Sequence, residues 1–151
     1  MKTALYTGQR GQDCIAMMRS HFDGESIHVV QHKTGKRIEI PAHKNLLTVF
    51  AEMPRARLVL LTNANGKPWK EDHYRHEVQD MVEKCGFEGY SLHGLRKNAV
   101  TRLLEAGCSE YETASITGQS LQTVRKYAEG VNQGRLARSA MTKLERWENA
   151  K

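Results

Sequence analysis

The chain has 151 residues, with 23 Lys and Arg against 17 Asp and Glu, so its formal net charge is +6 and its pI is about 9.3. At 39% hydrophobic residues it can bury the core of one domain. Its longest strictly aliphatic run, Leu58 to Leu61, is far short of the roughly 20 apolar residues of a membrane helix, and no signal-peptide segment opens it, which excludes membrane and secretory classes. Three widely spaced cysteines, Cys14, Cys85 and Cys108, support neither a disulfide framework nor a paired-cysteine metal site, which points to the cytoplasm, and the positive balance favours a phosphate-rich partner.

From Gly11 to about Ser20, Cys14, Ile15, Met17 and Met18 predict a short helix that the polar stretch His21 to Glu25 ends. A hairpin follows: Ile27 and Val29, then Ile38 and Ile40, alternate with polar residues on either side of the tip His32-Lys33-Thr34-Gly35-Lys36. After Pro41, Leu46, Val49, Phe50 and Met53 lie at helical spacing, as do Tyr74, Val78, Met81, Val82 and Cys85 farther on. Between these helices Leu58 to Leu61 reads as a short strand, closed by a turn at Asn63 to Gly66. Leu92, Leu95, Ala99, Leu103 and Ala106 form a third stripe, stopped by Gly107. Ser109 and Glu112 then have capping-box spacing for a short helix that Gly118 ends. Ser120 caps a helix through Tyr127, and a last helix runs from about Asn132 to Trp147 with Leu136, Ala140, Leu144 and Trp147 on one side. Pro41, Pro54 and Pro68 fall between these segments, and no internal repeat divides the chain. The expectation is one α+β unit, mainly helical, with its helices packed around a small antiparallel sheet.

Several residues carry chemistry. His93 and Arg96, at i, i+3 in His93-Gly94-Leu95-Arg96, stand side by side on one helix face while Leu92 and Leu95 turn inward. Arginine offers a two-donor fork for phosphate oxygens, and a neighbouring imidazole adds a donor or moves a proton. Arg10, in Thr7-Gly8-Gln9-Arg10, sits where a glycine turn enters a helix, with Asp13 three residues on to brace it. Lys33 is a long cationic arm at a hairpin tip, and Tyr127 ends a helix in Val124-Arg125-Lys126-Tyr127, away from any obvious apolar stripe. Each of these alone has an ordinary explanation as a surface ion pair, a solubilising lysine or a half-buried tyrosine. His73 and His76 could share a face, but the local sequence departs from the H-E-x-x-H zinc pattern at its last position.

Together, in order and spacing, these pieces resemble the tyrosine recombinases, specifically the catalytic domain of phage-type integrases. The resemblance runs from Thr3 to about Gly130 through TGQRGQD, QHKTGK, HGLRKNAVTRLLEAG and ITGQSLQTVRKYAE. Its specific part is the HGLR block followed about thirty residues later by a tyrosine, with a short helix and a glycine turn between. It implies that Arg10 and Arg96 clamp the non-bridging oxygens of a scissile phosphate with His93 assisting. It further implies that Tyr127 is the nucleophile, that Lys33 protonates the leaving 5′ oxygen and that Asp13 supports Arg10. Gln119 departs from the His or Trp often found after the glycine. Its amide can orient the phosphate but cannot shuttle a proton, so slower or more Lys33-dependent chemistry is expected.

The resemblance implies strand cleavage and rejoining through a 3′-phosphotyrosine, without metal, cofactor or ATP. Two fixed arginines stabilise the charge that builds on phosphorus. The phenol needs nearby cations to lose its proton, and Arg125 and Lys126 are candidates by proximity. The expected partners are double-stranded DNA and further copies of the chain, a synaptic tetramer in the full-length protein. On this reading residues 1–151 are a catalytic domain without the helical DNA-binding domain that usually precedes it, and residues 131–151 are a C-terminal helix that either packs on its own core or docks on a neighbouring protomer. Two alternatives keep DNA binding without chemistry: a non-catalytic remnant of the same fold, and a helix-turn-helix regulator built on Ser109 to Tyr127.

Overall fold

The computed structural model describes residues 1–54, 56–87, 89–129 and 133–150, the side chains of residues 133, 135 and 136 excepted. Helix α1 (Lys2–Thr7) ends where Gly8 turns left-handed at φ 63° and returns its N–H to the Ala4 carbonyl. Helix α2 (Gly11–Ile15) follows at once. The helix expected to reach Ser20 therefore stops five residues early. Leu60 N–H donates to the Met17 carbonyl at 2.9 Å and Arg19 N–H to the Leu58 carbonyl at 2.7 Å, so an extended partner takes the backbone groups that a longer helix would have used. The strand expected at Leu58 to Leu61 is correspondingly reduced to an isolated bridge between Met18 and Val59.

Strands β1 (Ser26–Val30) and β2 (Arg37–Pro41) pair antiparallel, Ile27 opposite Ile40 and Val29 opposite Ile38, as the alternation requires. Helix α3 (Lys44–Ala51) buries Leu46 and Phe50. Helix α4 (Glu71–Lys84) buries Tyr74, Val78 and Val82, whereas Met81 and Cys85, expected on the same stripe, are exposed. Helix α5 (Leu92–Glu105) buries Arg96, Ala99, Val100 and Leu104, leaving Leu103 half-buried and Ala106 exposed. Its buried face is thus turned from the expected one and carries an arginine inward.

Helices α5, α6 (Glu110–Thr117) and α7 (Leu121–Ala128) each start on a serine. Ser91 accepts from Gly94 N–H, Ser120 from Thr123 N–H, and Ser109 and Glu112 exchange the two bonds of a capping box. Each cap contributes about 1 kcal/mol. Helix α8 (Gln133–Glu148) shows only exposed side chains among its described residues. Leu136 lies outside the described side chains, while Leu144 and Trp147 are 44% and 56% exposed, so the described part of that stripe is not packed into the core.

Helix α5 ties the interior together. Leu92 and Leu95 pack against the cluster of Cys14, Met17, Ile27, Val29 and Ile40, Leu92 also touches the Tyr74 and Val78 cluster, and Val100 and Leu104 pack with Val124 of α7. Burying each such side chain stabilises the fold by roughly 1.5–3 kcal/mol. The architecture is α+β and mainly helical, with one two-stranded antiparallel sheet among the described residues. No helix among the described residues is long and apolar enough to cross a membrane.

Candidate active site

Two glycines let three segments meet. Gly8 and Gly118 both have left-handed backbones, at φ 63° and 67°, and each ends a helix. A Cβ on Gly8 would sit 2.7 Å from Thr117 Cγ2, and one on Gly118 would sit 2.6 Å from Gln31 Nε2 and collide with Ile38 Cδ1. The end of α1, the α6–α7 turn and the hairpin are therefore in direct backbone-to-side-chain contact.

At this junction Arg96 is 2% exposed, and its Nη2 donates to the Thr117 carbonyl at 3.0 Å. Burial first, and the neighbouring Arg10 second, push its guanidinium down to about 10, with Asp13, Cys14 and Tyr127 acting in the opposite sense. Arg10 is half-buried and pairs with Asp13, Nη1 to Oδ2, at 3.9 Å. Asp13 is itself buried, and its Oδ1 accepts from the His32 backbone N–H at 2.8 Å. Nη1 of Arg10 and Nη1 of Arg96 are both buried without a hydrogen-bond partner among the described residues. Two adjacent cations with unused donors have the chemistry to hold an anion with two acceptor oxygens.

Arg10, His93 and Arg96 line one cleft of about 340 Å³, whose wall also includes Tyr74, Glu71 and Arg75. His93 is exposed in the first turn of α5, at the edge of this cleft. The other expected site residues do not line that cleft. Lys33 is exposed at the hairpin tip, one residue beyond the amide that Asp13 holds. Gln119 lies in the α6–α7 turn, two residues past the carbonyl that holds Arg96, and its Oε1 is buried without a hydrogen-bond partner among the described residues. Tyr127 is half-buried in the last turn of α7.

Tyr127 also corrects an expectation, because it packs against Val100, Leu104 and Val124 and so does belong to an apolar stripe. Arg125, a candidate for easing its ionisation, is engaged elsewhere: its Nε donates to Glu110 Oε2 at 2.7 Å. Tyr127 belongs to the electrostatic surroundings of Arg96. The helix-turn-helix outline of α6 and α7 is present, but its turn faces inward against Gln31 and Ile38. His73 and His76 are exposed on α4. Cys14 is fully buried and its thiol is pushed up to about 12, chiefly by burial, which makes it inert.

Sequence reasoning missed a buried amide pair. Gln31 Nε2 donates to Gln9 Oε1 at 2.7 Å and to the Thr117 carbonyl at 3.0 Å, while Gln9 Nε2 donates to the Thr7 and Ile116 carbonyls at 3.0 and 3.1 Å. One signal was available: Gln31 continues the inward series Ile27, Val29 at period two and puts a polar residue on the apolar side.

The model of the Phage integrase family matches residues 1–133. Among solved structures, the crystal structure of XerA recombinase superposes with a TM-score of 0.73 at 19% identity, covering 93% of this chain and 56% of that one. A lambda integrase dimer bound to a COC′ core site gives 0.70 at 22% identity, covering 89% and 51%. The Tn1549 transposon integrase in complex with transposon right end DNA gives 0.76 at 17% identity, covering 93% and 56%. The chain thus spans about half the length of these structures, and the likeness is one of fold. No curated protein sequence matches it significantly.

Proposed function

We propose, from the premise that this chain belongs to the phage integrase family, that it cuts and rejoins double-stranded DNA through a phosphotyrosine at Tyr127. The observation that carries this reading is the paired clamp: two neighbouring guanidinium groups, each with a buried Nη1 that has no hydrogen-bond partner among the described residues, at a cleft that His93 also lines.

A phosphate seated there accepts from Arg10 and Arg96 through its non-bridging oxygens, with His93 as a third donor. Tyr127 Oη attacks phosphorus and loses its proton to water, the bond from phosphorus to the 5′ oxygen breaks, and Lys33 Nζ supplies the proton that the departing oxygen takes up. The new ester retains the energy of the bond it replaced, so a 5′ hydroxyl can reverse the step. Each fixed donor is worth roughly 100- to 1,000-fold in rate, and the general acid roughly 100- to 10,000-fold. Gln119 orients the phosphate and cannot take over proton transfer from Lys33.

On the same reading the protein works in the cytoplasm and self-associates on DNA. Helix α8, with Met141, Leu144 and Trp147 exposed, docks on a neighbouring protomer. Truncation after Gly130 should then abolish assembly while leaving the fold intact.

The decisive experiment incubates the chain with nicked suicide duplexes, then separates products on a denaturing gel and maps the DNA-linked peptide by mass spectrometry. An adduct on Tyr127, lost in Tyr127→Phe while DNA binding persists, supports the reading. Tyr74 is an internal control: it lines the cleft, but burial pushes its phenol up to about 12, so it should remain unmodified. An adduct on Tyr74, or DNA binding with no adduct at all, would overturn the proposal, the second result in favour of a DNA-binding protein without chemistry.

A further inference from the structure

The hairpin tip that bears Lys33 is held by His32 N–H on Asp13 Oδ1, by Lys36 Nζ on the Gly118 carbonyl, and by one buried residue of its own, Gln31. Gln31 donates its backbone N–H to the Lys36 carbonyl at 2.9 Å and accepts at its own carbonyl from Thr34 N–H at 3.3 Å and Gly35 N–H at 2.8 Å. Its side-chain Oε1 accepts from Thr34 Oγ1 at 2.8 Å. Its Nε2 leaves the hairpin altogether, donating to Gln9 Oε1 and to the Thr117 carbonyl, and this carbonyl also accepts Arg96 Nη2. The amide orientations are over-determined. Gln9 Nε2 is committed to backbone carbonyls, those of Thr7 and Ile116 with Thr117 at 3.5 Å, so its oxygen must face Gln31, whose nitrogen must therefore face both Gln9 and Thr117.

An apolar residue at position 31 would complete the alternation of Ile27 and Val29 without burying an amide. A fully buried glutamine with both ends committed calls for another reason. We infer that Gln31 is a positioning residue for Lys33: it locks the hairpin tip to the carbonyl that also holds Arg96, so the leaving-group acid and the phosphate clamp share one reference atom. This rests on Lys33 being the proton donor proposed above. Loss of the Gln31 side chain leaves Arg96 its bond to Thr117 and His32 N–H its bond to Asp13, but removes the tip's tie to the Thr117 carbonyl and loosens it, so the defect should fall on proton delivery.

Leaving-group chemistry separates the two. A 5′ alkoxide needs a proton as it departs, whereas a 5′-bridging sulfur leaves as a thiolate without one. Suicide duplexes carrying either atom are cleaved by the parent, Lys33→Ala, Gln31→Met, which keeps side-chain length without hydrogen bonds, and Thr34→Val, which removes only the hydroxyl bonded to Gln31. Lys33→Ala should lose about 100-fold or more on oxygen and recover on sulfur. Gln31→Met should lose about tenfold on oxygen, Thr34→Val somewhat less, and both should match the parent on sulfur to within about twofold.

Equal slowing of both substrates by Gln31→Met, or no slowing of either, would overturn the inference. If that variant does not fold, Thr34→Val, altered at an exposed position, decides by the same two criteria. Failure of sulfur to rescue Lys33→Ala would overturn the proton-donor reading itself, and the inference with it, a result distinguishable from failure at Gln31 alone.

Discussion

Replacing Arg96 with methionine separates what the buried guanidinium does for the fold from what it does for a bound anion. Burial and Arg10 push Arg96 down from the ordinary arginine range to about 10, which at about 1.4 kcal/mol per pH unit amounts to about 3 kcal/mol against the charged form. Against this stands one charge-assisted bond from Nη2 to the Thr117 carbonyl, worth about 1.5–3 kcal/mol. That carbonyl keeps its bond from Gln31, and Asp13 keeps its pairing with Arg10, so Arg96→Met orphans neither partner. The variant should be as stable as the parent or up to about 1 kcal/mol more stable, in line with buried charges replaced by apolar groups, a Tm rise of about 2–4 °C at most. It should also lose the anion response. At constant ionic strength, orthophosphate at about a hundred times its dissociation constant adds about 2.7 kcal/mol to the parent, and it should add little to Arg96→Met. Urea unfolding with and without phosphate measures both. A Met variant destabilised by more than about 1 kcal/mol, or one that phosphate stabilises as strongly as the parent, would refute the claim that Arg96 is a strained donor held for an anion.

The α6–α7 turn offers a second test. Gly118→Ala adds a left-handed backbone penalty of about 1–2 kcal/mol to overpacking against Ile38 and Gln31 of about 1–3 kcal/mol. Gly66→Ala, at φ 72° with nothing within 4 Å of its Cβ, should show the backbone penalty alone, and equal losses in chemical denaturation would remove the case for close approach at Gly118. Asp23 accepts from Ser26 N–H, His28 Nε2 and Glu25 N–H, which hold its carboxyl well below the usual carboxylate range. Because the folded value is depressed, its stabilisation is complete above about pH 4 and fades as pH falls below that. The Tm gap between parent and Asp23→Asn should therefore be widest above pH 4 and close on acidification, while a gap that widens in acid contradicts the assignment.

Local order in the chain was sufficient for the elements whose signals are local. Period-two spacing of Ile27, Val29, Ile38 and Ile40 set the hairpin register, and Ser109 with Glu112, Gly118 and Ser120 marked the helix ends, because caps and turns are satisfied by atoms only a few residues apart. The same order named Arg10, Lys33, His93, Arg96, Gln119 and Tyr127 as candidates through their motif spacing. Tertiary contact decided the rest. Met17 and Met18 fitted a helix as well as an extended segment until residues 58–60 supplied a pairing partner, so α2 ended early. Arg96 turned inward with Ala99 and Val100, and Tyr127 found its packing on α5, because α5 meets three clusters contributed by distant parts of the chain. The Gln9–Gln31–Thr117 network joins residues separated by as many as 108 positions. A hydrogen bond of that range leaves no periodicity behind in the sequence, and its partners become visible only when the backbone brings them within about 3 Å of one another.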